Sequence, residues 1–132
     1  MKYRKGYKYQ LYEDYEIITT IIPYGSVSND YVAIDCTGLL TVFKGYAWDG
    51  PSGPTFDTKT FMRGSLVHDA IYQLIRHQSI APHYKAYADI LLRDICIEDG
   101  MNRIRAWYVY HAVKNFADFA VNPRYIKSII EV

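Results

Sequence analysis

Residues 45–76 read GYAWDGPSGPTFDTKTFMRGSLVHDAIYQLIR, and the hydrophobic pattern changes period inside them. Before this stretch, aromatic and β-branched residues dominate: Tyr3, Tyr7, Tyr9 and Leu11, then Tyr15–Ile22, Tyr31–Ile34 and Leu39–Phe43. Such runs suit a pleated, half-buried surface, so each is expected to be a strand. Turn chemistry separates them at Pro23–Ser26, Ser28–Asp30 and Thr37-Gly38. Gly45–Pro54, with three Gly and two Pro, reads as a loop. Beyond it, Asp57 or Thr58 is placed to cap a helix that runs to about Arg76. Phe61, Val67, Ile71, Leu74 and Ile75 give that helix its apolar stripe.

After a break at Ser79–Pro82, a second helix is expected from about Tyr84 to Glu98, with Ala88, Leu91, Leu92 and Ile95 inward and Gly100 ending it. A third, about Asn102–Ala120, carries Ile104, Trp107, Tyr108, His111, Val113, Phe116 and Phe119 and is apolar on most sides. Such a helix is expected to be central. Asn122-Pro123 stops it. The fold class is therefore α+β, a small N-terminal antiparallel sheet followed by a three-helix unit. One domain over 1–132 is expected, β-rich over 1–56 and helical over 57–132.

Composition narrows the function classes. Half the residues are hydrophobic, enough for a core without disulfide staples. The net charge of +1 gives no overall preference for nucleic acid or an anionic membrane. Lys and Tyr interleave over residues 2–9, but with so neutral a chain they read as a sheet edge rather than a nucleic-acid platform. Cys36 and Cys96 match no zinc or CxxC spacing and are expected to be buried, reduced thiols. No apolar run reaches the roughly 20 residues of a membrane span, and MKYRKGYKYQ lacks the apolar core of a signal peptide.

The chemistry concentrates in Trp48-Asp-Gly-Pro-Ser-Gly-Pro54, His68-Asp69-Ala-Ile-Tyr72 and Ala88-Asp89. Adjacent helical residues point roughly 100° apart, so His68 and Asp69 cannot orient each other and must do different jobs. His68 shares a face with Gly64, Ile71, Tyr72 and Ile75, and Asp69 shares one with Ser65, Gln73 and Arg76. A half-buried imidazole needs a partner for its second nitrogen. Asp89, on the next and antiparallel helix, is the candidate. In the loop, Gly50 and Gly53 let backbone carbonyls turn inward. Carbonyls from Trp48 to Gly53 with the carboxylates of Asp69 and Asp49 would suit Ca²⁺, which takes six to eight oxygens. His68, held by Asp89, could then serve as general base on a water, with the cation polarising a carbonyl.

The stretch from Gly50 to Ile95 resembles the active-site core of phospholipase A2 enzymes, in the style of the short parvovirus capsid and bacterial forms. Those pair a Gly/Pro-rich calcium loop with HDxxY on one helix and an Asp on the next. The resemblance implies His68 as base, Asp69 as calcium ligand, Asp89 as orienting residue and Tyr72 as the tyrosine that holds the network. It also implies phospholipid or another ester as substrate. Trp48 stands where that family's loop carries its first glycine. From Phe43 to about Ala120 the chain is also similar to a family of small uncharacterised phage and prophage proteins with a WDGPSGP, HDxxY and AD order. That similarity implies a phage origin, and a place in the infected host's cytoplasm or on the virion.

Each signal has a structural alternative. Asp49 is equally a turn residue in Asp-Gly. His111 is either a hydrogen-bonded core residue or the completion of a His/Asp metal cluster with His68, which would favour zinc over calcium. His77, His83 and Asp94 are expected at the surface, and Asp57 as a cap. The rival to a metal-dependent hydrolase is a non-enzymatic virion or host-interaction protein, whose His68, Asp69 and Asp89 form a structural polar network.

Overall fold

The computed structural model of the chain describes residues 1, 3–4, 9–48 and 59–121. Its order is β1 (Tyr3–Arg4), β2 (Tyr9–Leu11), β3 (Tyr15–Ile18), β4 (Val27–Ser28), β5 (Val32–Ile34), β6 (Leu39–Val42), β7 (Ala47–Trp48), α1 (Lys59–Arg76), α2 (Lys85–Glu98) and α3 (Arg103–Val121). A short 3-10 turn, Pro82–Tyr84, leads into α2. The chain is α+β as expected, with antiparallel strands first and three helices after.

The strands form two sheets rather than one, ordered β1-β2-β7 and β3-β6-β5-β4. The second holds two cross-strand rows that face the core. Tyr15 opposes Val42, which opposes Val32; Ile17 opposes Leu40, which opposes Ile34, which opposes Val27. Val32, Ile34, Leu40 and Val42 are buried. The two sheets are halves of one bent ribbon. Tyr9 pairs with Trp48 on one side of the bend and Tyr15 with Val42 on the other, so residues 10–14 face 43–47 with equal numbers on each strand. At the bend Leu11 N–H donates to the Tyr46 carbonyl (2.9 Å), and Gly45 N–H to that of Leu11 (2.9 Å). Lys44 N–H donates to the Asp14 carboxylate (2.7 Å). Gly45 has φ 97°, a conformation that favours glycine.

The strand expected over Tyr15–Ile22 stops at Ile18. Thr19 takes over the pairing: its N–H and its hydroxyl both donate to the Gly38 carbonyl (2.8 Å each), and the hydroxyl accepts from Ile21 N–H (3.1 Å). Gly38 sits in the expected bend, with φ 92° and room for no Cβ, which would lie 2.4 Å from the Thr19 carbonyl oxygen. Across that bend Asp35 accepts from the Thr37 hydroxyl and from the N–H groups of Thr37 and Leu39, and these bonds, led by the hydroxyl, hold its carboxyl below the usual range.

Among the helices, α1 is central. Its buried side includes Phe61, Met62, Leu66, Val67, Ala70, Ile71, Leu74 and Ile75, and one core joins it to both sheets. This corrects the expectation for α3: among its described side chains Ile104, Trp107 and Tyr108 are exposed, Ala106 and Val109 are buried, and Val113 packs partly against the core. Apolarity all round a helix measures what it can bury, not how many neighbours it has. Cys36 is exposed, a second correction, whereas Cys96 is buried.

The helix ends follow local rules. Gln78 at φ 61° ends α1, with Ser79 N–H donating to the Leu74 carbonyl (2.8 Å). Gly100 at φ 102° ends α2, with Met101 N–H donating to the Cys96 carbonyl (2.8 Å). Asn102 caps α3 through Ile104 N–H (2.8 Å). Arg63 pins α1 to the end of α2 and to β3, through Asp99 (3.0 and 2.8 Å), Glu98 (2.8 Å) and the Tyr15 hydroxyl (3.1 Å).

Two predictions concern the helix pair. A Cβ on Gly64 would lie 2.9 Å from Leu92 Cδ1 and 3.0 Å from Cys96 Sγ, so the two helices approach closely there. Gly64→Val should lower the unfolding free energy by about 1–3 kcal/mol in a urea titration. Burial pushes the Cys96 thiol up to about 12. Iodoacetamide at mildly alkaline pH should therefore label Cys36 alone in the folded protein and both thiols after unfolding. The raised thiol contributes stability that is fully present below the ordinary thiol range and lost as pH climbs towards about 12.

Candidate functional site

The close approach of α1 and α2 at Gly64 sets what faces what one turn further along. On α1, His68 follows Gly64 by four residues; on α2, Asp89 precedes Leu92 by three. His68 Nε2 donates to Asp89 Oδ1 at 2.8 Å. The Tyr72 hydroxyl, one turn beyond His68, donates to the same oxygen. The structure thus brings together the three residues named as base, orienting acid and supporting tyrosine. The imidazole also lies against the Tyr72 ring, with centroids 4.0 Å apart. Its orientation is fixed by one hydrogen bond and one ring face.

Asp89 is 1% exposed and its two oxygens are used unequally. Oδ1 accepts from His68 and Tyr72, whereas Oδ2 is buried and has no partner among the described residues. Because a carboxylate accepts, the hydrogen of the shared bond belongs on His68 Nε2, which leaves the Nδ1 lone pair uncommitted. Nδ1 has no partner among the described residues. The His68 side chain is 13% exposed, so it lies at the margin of the core rather than within it.

Asp69 points elsewhere, as helix geometry demands. It is half-buried and accepts a hydrogen bond from the Tyr46 hydroxyl. Ser65, on the same face of α1, accepts from the Trp48 indole N–H (3.1 Å) and donates to the Met62 carbonyl (2.9 Å). One face of α1 therefore meets α2 through His68 and Tyr72, and the next meets β7 and the residue before it through Ser65 and Asp69.

Sequence reading missed β7, which lies inside the stretch assigned to a loop. Trp48 is consequently a buried strand residue opposite Tyr9, with rings 5.7 Å apart, and not part of a turn. The reading also missed Tyr46 and Ser65 as partners of the site. The available signal was alternation: Tyr46 and Trp48 are two residues apart and so share a strand face.

Asp49, Gly50 and Gly53 lie outside the described residues, as does Asp57. His111 is half-buried on α3, stacked on Trp107 (4.3 Å) and near Tyr110 (5.1 Å). Among the described residues no three His, Cys, Asp or Glu side chains are grouped to hold one metal ion, so the cluster with His68 and His111 is not formed there. For a hard cation the described donor is Asp69, one of whose oxygens already accepts from Tyr46. The other donors would have to come from residues 49–53. His77 and His83 are exposed, as is Asp94 beside Arg93 (3.1 Å). A cleft between Pro23–Val27 and Ser79–Tyr84 is lined by none of the residues of the dyad. No helix among the described residues is long and apolar enough to cross a membrane.

Compared with family models, curated proteins and solved structures, the chain matches none.

Tyr72→Phe removes one of the two donors to a buried carboxylate. It should cost about 1.5–3 kcal/mol of stability, measured by denaturant unfolding.

Proposed function

We propose that the protein is a hydrolase in which His68 acts as general base on a water. The observation that carries this reading is the state of one imidazole. Its Nε2 is committed to a buried carboxylate and its Nδ1 has no partner among the described residues, on a ring that still reaches the surface. Asp89 selects the tautomer, and it stabilises the imidazolium that forms when Nδ1 takes a proton. Tyr72 fixes Asp89 and limits rotation of the ring. The resemblance to phospholipase A2 supports ester hydrolysis of a lipid as the reaction, and the similarity to phage proteins supports a phage setting. Asp69, with oxygen donors from residues 49–53, would hold a divalent cation, calcium before zinc. When bound, that cation supplies positive charge to polarise the ester carbonyl. Tyr46 steadies the Asp69 carboxylate through its hydroxyl.

A second reading has an observation of its own. Asp89 is almost wholly sealed and serves His68 and Tyr72 together, as a structural network of a non-enzymatic virion or host-interaction protein would.

His68→Ala should abolish ester hydrolysis while leaving circular dichroism nearly unchanged, at a cost in stability of about 1.5–3 kcal/mol like that of Tyr72→Phe because it too removes a donor to Asp89, and a chelator should remove the activity of the wild type. An unchanged rate in His68→Ala would sink the hydrolase reading. A folded wild type with no activity on any ester, with or without calcium, would favour the structural network.

A further inference from the structure

The exposed face of α3 carries a run of large apolar side chains. Ile104, Trp107 and Tyr108 are 69%, 54% and 64% exposed, and with His111 they follow the spacing of a single helical stripe. The rings form one contiguous patch: Trp107 meets Tyr108 edge-on at 5.3 Å and His111 at 4.3 Å. Helical spacing puts Arg103 and Lys114, both exposed, along one flank of the stripe. α3 carries Arg103, Arg105 and Lys114 against one acid, Asp118, in a chain whose net charge is only +1. The near-neutral total hides a local concentration of positive charge.

From this juxtaposition we infer that α3 docks flat on an anionic phospholipid bilayer. Ile104, Trp107 and Tyr108 enter the headgroup region, and Arg103 and Lys114 meet lipid phosphates and carboxylates. Trp and Tyr favour that depth because their rings are apolar and their edges polar. Basic residues beside an apolar helical stripe add attraction to anionic lipid. Two other occupants fit less well. A second copy packed stripe to stripe would oppose basic flanks to basic flanks. A single-stranded nucleic acid needs open ring faces to stack on, whereas here the rings pack against one another. The inference stands on α3 alone and goes beyond the proposed hydrolysis, since a protein with no catalytic activity would dock in the same way.

The test is co-sedimentation with phosphatidylcholine vesicles, with or without phosphatidylserine, using His68→Ala so that hydrolysis cannot alter the lipid. Sedimentation with the phosphatidylserine vesicles alone, reversed by high salt, is expected. Trp107 emission should shift to the blue on binding, and Trp107→Phe should lose that shift, because Trp48 is already buried. Arg103→Gln with Lys114→Gln should weaken binding about 10- to 30-fold. Ile104→Ser with Trp107→Ser should weaken it about 10-fold or more. All four positions are exposed, so these variants should fold as the parent does. Failure to sediment at low salt would overturn the inference, as would binding indifferent to the substitutions or a dimer abolished by Trp107→Ser. Hydrolysis of a soluble short-chain ester by the wild type, measured separately, tells failure of docking from failure of the catalytic reading.

Discussion

The absence of a side chain at Gly64 governs the distance between α1 and α2. Leu92 and Cys96 occupy the space that a Cβ would fill. With the helices this close, a short polar side chain on one can reach a short polar side chain on the other. Asp89 has only one methylene between its backbone and its carboxylate, yet it meets His68 and Tyr72 together. A wider separation would call for a longer acid, with more rotamers to fix and a less definite imidazole orientation. Arg63, the residue before Gly64, holds the same end of the pair from the outside by joining Asp99 and Tyr15.

Placing a carboxylate where Asp89 lies works against desolvation. The compensation seen is partial, with two donors on one oxygen and, among the described residues, none on the other. Asp69 contrasts with it: half-buried, on the neighbouring face, and tied to a strand phenol rather than to an imidazole. Adjacent in sequence, His68 and Asp69 are thereby set in two electrostatic environments. One is walled by helix α2, and the other by the end of the β ribbon. Such a division would let the two residues take the roles proposed for them, base and cation ligand, without neutralising each other.

Much of this was legible in the chain. Helix limits lie within about two residues of those expected, because Gly100, Asn102 and the Ser79–Pro82 break act locally. The link between His68 and Asp89 was legible because helical spacing and a short connection constrain it. What escaped the sequence depended on distant pairing. A strand of two residues, Ala47–Trp48, exists only because Tyr9 and Gln10 lie opposite it, and the Gly and Pro that follow mask it. Its absence from the reading hid Tyr46 and Ser65. The exposure of Ile104, Trp107 and Tyr108 escaped for a related reason: counting apolar positions does not reveal which side of α3 the other helices cover. Residues 49–53 leave the expected cation loop undescribed by the structure.

The bent ribbon has a consequence for how such a chain can change length. Its two halves keep one register across the bend, and Tyr46 and Trp48 reach α1 only because that register is carried through from Ile17 and Leu40. A single residue gained or lost in 43–45, unless a bulge absorbed it, would turn Ala47 towards the helix and Tyr46 away from it. Insertions and deletions at the bend are therefore expected in matched pairs, one on each strand, or with a compensating bulge. By contrast, the turn at Asp35–Gly38 belongs to one half of the ribbon and imposes no such matching on the other half. Length variation among relatives of this chain would be expected to avoid the bend, even though it is close to the surface and rich in turn residues.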